Sequence, residues 1–125
     1  MKLKLLLLEE SFAICRLALE AEFPQWARRG FFSVTKTEEE LSVVCQQELV
    51  PEGTSFEGNW KCLKVAGPLD FSLTGILASI AAPLAESKIS IFAVSTFATD
   101  YILVKEEKLV KTIEVLEMAG HQIVH

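Results

Sequence analysis

The sequence has little of what catalysis and metal binding draw on. Histidine occurs twice, at His121 and His125, both beside the end of the 125-residue chain. There is no G-x-S-x-G, no H-E-x-x-H and no glycine-rich phosphate loop. A Ser-His-Asp or Cys-His set would have to recruit one of those two terminal histidines, so the chain reads as a non-enzyme with no cofactor. The three cysteines, Cys15, Cys45 and Cys62, are odd in number, widely spaced and each set in an apolar run. A metal site would call for closer pairs such as C-x-x-C, so these are expected to be reduced thiols in a core. Basic charge is also short. Twelve Lys and Arg stand against seventeen Asp and Glu, a net charge of −5. Nucleic acid and anionic membrane both demand a basic footprint, so neither is an expected partner. Long apolar runs are missing too. The opening MKLKLLLLEE holds an unbroken run only from Leu5 to Leu8, ended by Glu9 and Glu10. A signal h-region needs roughly 7–15 apolar residues and a membrane span about 20. That run is read as a buried strand, and the cytoplasm as the expected location.

What is present is ordinary core material, at 50% hydrophobic residues, enough for one compact domain or two small ones. The second half is the more regular. WKCLKVA (60–66) reads as a strand. In the following LDFSLTGILASIAAPLAESK, Leu73, Ile76, Leu77, Ile80 and Leu84 form one apolar stripe at helical spacing. Asp70 or Ser72 is placed to cap its start, and Pro83 interrupts its amide ladder by removing a donor and crowding the carbonyl of Ser79. ISIFAVS (89–95) and YILV (101–104) read as strands. EEKLVKTIEVLEMAG reads as a second helix with Leu109, Ile113 and Leu116 inward and Gly120 ending it. HQIV (121–124) reads as a last strand. The order β-α-β-β-α-β predicts a ferredoxin-like α+β unit, an antiparallel sheet with both helices on one face.

The first half is strand-rich and helix-poor. KLKLLLL (2–8), FAICRL (12–17), FFSVTKT (31–37) and LSVVCQQ (41–47) are strand candidates. PQWARRG (24–30) and TEEE (37–40) read as single helical turns, and VPEGTSFEGN (50–59) as the connection between halves. The expected division is 1–57 and 58–125.

Two signals point to a site. The loop GPLDFSLTG (67–75) follows a strand and opens a helix, so its free amides suit an anion, and Gly75 allows close approach. In STFATDYILV (95–104), Asp100 stands at the mouth of an apolar strand, after Ser95, Thr96, Phe97 and Thr99. In a β-α-β-β-α-β sheet the first and third strands are neighbours. The loop after one and the turn into the other therefore share an edge. An anion-binding helix end beside a carboxylate suits a zwitterion, with Phe97 as a wall. Asp100 serving only its own tight turn is the alternative.

These residues resemble the ACT-domain group of small bacterial proteins related to the animal CASTOR arginine sensors. PLDFSLTG and STFATDYILV carry the resemblance most specifically. FAICRL, PQWA, FFSVTKTEEELSVVC and LVPEG extend it over nearly the whole chain. The resemblance implies two ferredoxin-like ACT modules, the N-terminal one reduced. It implies an amino-acid effector bound at an interface between modules, and a homodimer to bring four modules together. The residues so implicated are Leu69, Asp70, Phe71, Ser72, Leu73, Thr74, Gly75, Thr96, Phe97 and Asp100. Lys88 departs from the pattern, standing where such modules often have glycine. An oligomerisation or partner-binding module with a vestigial pocket is the second reading.

Overall fold

A computed structural model of the chain describes residues 1–67 and 74–125. Its elements are β1 (Lys4–Leu7), β2 (Phe12–Leu17), β3 (Ser33–Lys36), β4 (Leu41–Gln46), β5 (Ser55–Val65), α1 (Ile76–Glu86), β6 (Phe92–Ser95), β7 (Asp100–Lys105), α2 (Leu109–Met118) and β8 (Gln122–Val124), with short 3-10 turns at Gln25–Ala27, Gln47–Leu49 and Glu106–Lys108. The chain is α+β with a mixed sheet. Two compact units divide it: Met1–Glu9 with Lys61–His125, and Glu10–Trp60.

In the unit formed by Met1–Glu9 and Lys61–His125, period-two alternation puts Leu5, Leu63, Val65, Ile102, Val104 and Ile123 on one face of the strands. The helical stripe Ile76, Ile80 and Leu84 of α1 and Leu116 of α2 pack against them. Both helices thus lie on one face, as the periodicity predicts. Leu109 and Ile113, also expected inward, are partly buried against this cluster. β7 pairs with β5 and β6, so the first and third strands of the β-α-β-β-α-β order are neighbours as expected.

Details of this unit differ from the sequence reading. The unit's sheet is not purely antiparallel: β1 runs antiparallel to β5 but parallel to β8, pairing Leu5 with Val65 on one side and Ile123 on the other. Strand pairing joins Met1–Glu9 to the C-terminal residues in one compact unit. Another concerns the start of α1. It begins at Ile76, after Gly75 in the left-handed region at φ 77°, with no side-chain cap bond. Asp70 and Ser72 lie outside the described residues.

In the unit Glu10–Trp60, β2 pairs with β4, and β4 with β3, all antiparallel. Ala13 and Cys15 of β2 and Val43 and Cys45 of β4 share a face with Ala27, and Trp26, Phe32 and Val34 pack round them. The Gln25–Ala27 turn matches the helical turn expected in PQWARRG. TEEE forms no helical turn. The Thr37 hydroxyl instead accepts bonds from the amides of Glu39 and Glu40, closing a tight turn. The expected connection 50–59 is shorter than its composition suggests. Ser55, Phe56 and Glu57 pair with Arg16, Cys15 and Ile14, and the register slips by a bulge near Asn59, which adopts φ 62°. Pro51 and Gly53 mark the turn, and the glycine at 58 sits inside the strand.

Candidate functional site

The turn between β6 and β7 is closed by two threonines. The Thr96 amide donates to the Thr99 carbonyl at 2.8 Å, and the Thr96 hydroxyl accepts from the Thr99 amide at 3.3 Å. The Thr99 side chain is 5% exposed and its hydroxyl donates to the carbonyl of Val65, the last residue of β5, at 2.6 Å. This bond ties the turn to the point where the chain leaves β5 for the loop at 67–75. Thr99 is absent from the set of site residues that the sequence implicates. A β-branched hydroxyl on a neighbouring strand from its partner carries no local signal, and only pairing of β5 with β7 reveals its task.

Asp100 is the first residue of β7, opposite Ser95, and is half-buried. The turn is closed by Thr96 and Thr99, so the alternative role for Asp100, bonding its own turn, is filled by neighbours. Among the described residues its carboxylate takes part in no ion pair or hydrogen bond. Next to it, the Tyr101 ring lies 5.8 Å from the ammonium of Lys64. Phe97 at the turn is 85% exposed, and Thr96 is exposed. Of the loop residues, Thr74 and Gly75 are exposed, while Leu69, Asp70, Phe71, Ser72 and Leu73 lie outside the described residues. At Gly75 an added Cβ would meet nothing within 4 Å among the described residues, so this glycine serves its positive φ.

Cys15 and Cys45 form a thiol pair in the buried face of β2 and β4, and Cys62 is also buried, so all three are core thiols. The hydrogen bond to Cys15, together with burial, pushes the Cys45 thiol well above its ordinary value, and the same bond lowers Cys15. Among the described residues no group of three or more His, Cys, Asp or Glu is placed to hold a metal ion, and no helix is long and apolar enough to cross a membrane.

A mixed sheet with two helices packed on one face defines a small ferredoxin-like module. The family model for the ACT domain matches residues 55–118, and a second model, for an N-terminal domain, matches residues 10–53. The chain belongs to the ACT-domain family. It is 38% identical over 102 residues to the human cytosolic arginine sensor for mTORC1 subunit 1, and 35% identical over 104 residues to the protein of that name from Bos taurus. Those matches cover 75% and 74% of this chain but only 31% and 32% of the relatives, so the chain spans about a third of their length. Among solved structures, a protein from Agrobacterium tumefaciens is 40% identical, with a TM-score of 0.94, covering 99% of this chain and 93% of that one. The regulatory subunit of aspartate kinase from Thermus flavus shares the fold at 10% identity, with a TM-score of 0.64, covering 92% of this chain and 95% of that one.

Proposed function

We propose that this chain is a non-catalytic regulatory module that binds a small effector, an amino acid, at an interface between ACT modules. Leu69 to Gly75, Thr96, Phe97 and Asp100 contribute the contacts. The observation that carries the reading is the half-buried carboxylate of Asp100, which has no partner among the described residues and stands one residue after the Thr99 hydroxyl that is bonded to the end of β5. A carboxylate so placed attracts an ammonium or other cationic group, and the loop amides suit the carboxylate of the same ligand. The arginine-sensor relatives support an amino acid as the class of effector. The proposal includes a reduced ACT-like module ahead of a complete one, a homodimer that joins two such pairs, and residence in the cytoplasm, in line with the word cytosolic in the relatives' name.

A second reading, an oligomerisation or partner-binding module with a vestigial pocket, is favoured by the exposure of Phe97 at 85% and Met118 at 90%. Thermal unfolding against each of the twenty amino acids separates the two. A ligand at 100 times its dissociation constant adds about 2.7 kcal/mol to the folded state. That raises the midpoint by roughly 5–15 °C for a chain of this size. The expected result is a selective shift that disappears in Asp100→Ala. A flat panel would leave the partner-binding reading standing alone.

A further inference from the structure

Pro83 is the eighth residue of α1 and has no N–H. In an α-helix that N–H would bond the carbonyl four residues earlier, which here is Ser79. The missing donor arrives from outside the helix. Nε2 of His121 lies 3.0 Å from the Ser79 carbonyl oxygen, and the ring is 4% exposed. Its other nitrogen, Nδ1, is 3.1 Å from the backbone amide of Leu3. An amide N–H only donates and a carbonyl only accepts, so the roles are set. Nδ1 accepts from Leu3, and Nε2 carries the proton and donates to Ser79.

The ring is held where it is by both chain ends it touches. Gly120, at φ 100°, ends α2, and the His121 amide donates to the Leu116 carbonyl at 3.0 Å. The amide of Gln122 donates to the Leu3 carbonyl at 2.8 Å, so Leu3 is gripped on both sides. Ser79 in turn belongs to the first turns of α1: its amide bonds the Gly75 carbonyl at 2.9 Å and its hydroxyl the Ile76 carbonyl at 2.7 Å.

We propose that His121 is a positioning residue that replaces the helix donor removed by Pro83, and thereby latches α1, the end of α2 and the segment at Leu3 into one arrangement. The latch acts on the turn of α1 that begins at Gly75, yet it stands whether or not the effector reading is right. It predicts that Pro83 and His121 are energetically coupled, although 38 positions separate them in the chain.

Two measurements test it, neither of which involves a ligand. Long-range 15N–1H NMR of the wild-type chain, with His125→Ala to assign the ring signals, should show His121 as the Nε2–H tautomer; an Nδ1–H tautomer overturns the proposal. His121→Phe keeps a ring but removes both bonds, and should shift the unfolding equilibrium by about tenfold or more. In a Pro83→Ala background the introduced alanine supplies the helical donor, and the same substitution at His121 should cost several-fold less. An equal penalty in both backgrounds sinks the idea. If His121→Phe fails to fold in either background, the wild-type tautomer decides.

Discussion

The two compact units bury different kinds of side chain. Among the described residues, the unit containing α1 and α2 buries eleven aliphatic residues in one cluster, nearly all Leu and Ile with two Val. The unit Glu10–Trp60 has a cluster of small buried residues, Ala13, Cys15, Ala27, Val43 and Cys45, and buries Phe12, Leu41, Val44 and Trp60 besides. Fully burying a Leu or Ile side chain contributes about 1.5–3 kcal/mol, whereas Ala and Cys bring far less apolar area. The first unit holds itself together by burial behind two helices. The second sets its small-residue cluster beside the fully buried Phe12, whose ring meets Phe31 edge-on at 5.8 Å.

The largest effect should fall in the aliphatic cluster. Leu84 is fully buried on the inner face of α1, and Leu84→Ala should cost about 2–5 kcal/mol, the transfer loss plus the cavity left behind. Val43, fully buried in the small-residue face, loses two methyl groups on mutation to Ala, worth about 2 kcal/mol. Urea unfolding of both variants tests the contrast. Equal losses would mean that the small-residue cluster is packed as tightly as the aliphatic one.

The same contrast explains what could be read from the chain beforehand. Helical stripes such as Ile76, Ile80 and Leu84 repeat within one element, so both helices, their inner faces and the neighbouring first and third strands were legible. The parallel partnership of β1 with β8 was not, because Leu5 meets Ile123 across almost the whole chain. The extra length of β5 was hidden by Gly58 and Asn59, which composition marks as loop but pairing turns into a bulge. At the candidate site Asp100 stands out as a charge before an apolar run. Thr99 does not, since its partner Val65 lies 34 positions away. His121 escapes for the same reason: a buried histidine declares itself only when Ser79 and Leu3 are seen on either side of it.

A pH experiment sharpens the comparison from the small-residue side. The hydrogen bond to Cys15 and burial hold the Cys45 thiol well above its ordinary range. In the unfolded chain it ionises near pH 8.5, while the folded chain keeps its proton. A raised folded value means stability that is complete below the unfolded value and lost as pH rises past it. Cys15 has the opposite sign, its lowered value adding stability as pH rises, and that gain is complete by about pH 8.5. Above about pH 9 only Cys45 is still drawing stability down, by up to about 1.4 kcal/mol per pH unit. Chemical unfolding of the wild type and Cys45→Ala at pH 7, 9 and 10 should show the wild type losing more ground between 9 and 10. Parallel curves would deny the thiol pair any part in the unit's stability.

The smallest effects come from two helix ends built on one plan with different residues. Both α1 and α2 finish with a left-handed residue whose neighbours close the last turn. After α1, Lys88 sits at φ 59°, its amide bonding the Ala85 carbonyl at 3.0 Å and the Ile89 amide bonding Leu84 at 2.9 Å. After α2, Gly120 sits at φ 100°, with Gly120 bonding Glu117 and His121 bonding Leu116, both at 3.0 Å. A left-handed conformation costs an ordinary L residue roughly 1–2 kcal/mol and glycine almost nothing, though glycine gives some of that back as chain entropy in the unfolded state. Lys88 is exposed and its side chain is not part of the buried cluster, so Lys88→Gly should stabilise the protein by about 0.5–1 kcal/mol. Gly120→Ala should destabilise by about 1 kcal/mol, since its added Cβ meets only the flexible Lys2 side chain at 3.5 Å and the cost is backbone strain alone. Thermal midpoints moving in opposite directions by a few degrees would establish that one closing motif serves both helices. A Lys88→Gly variant that loses stability would show instead that the lysine contributes through contacts of its own.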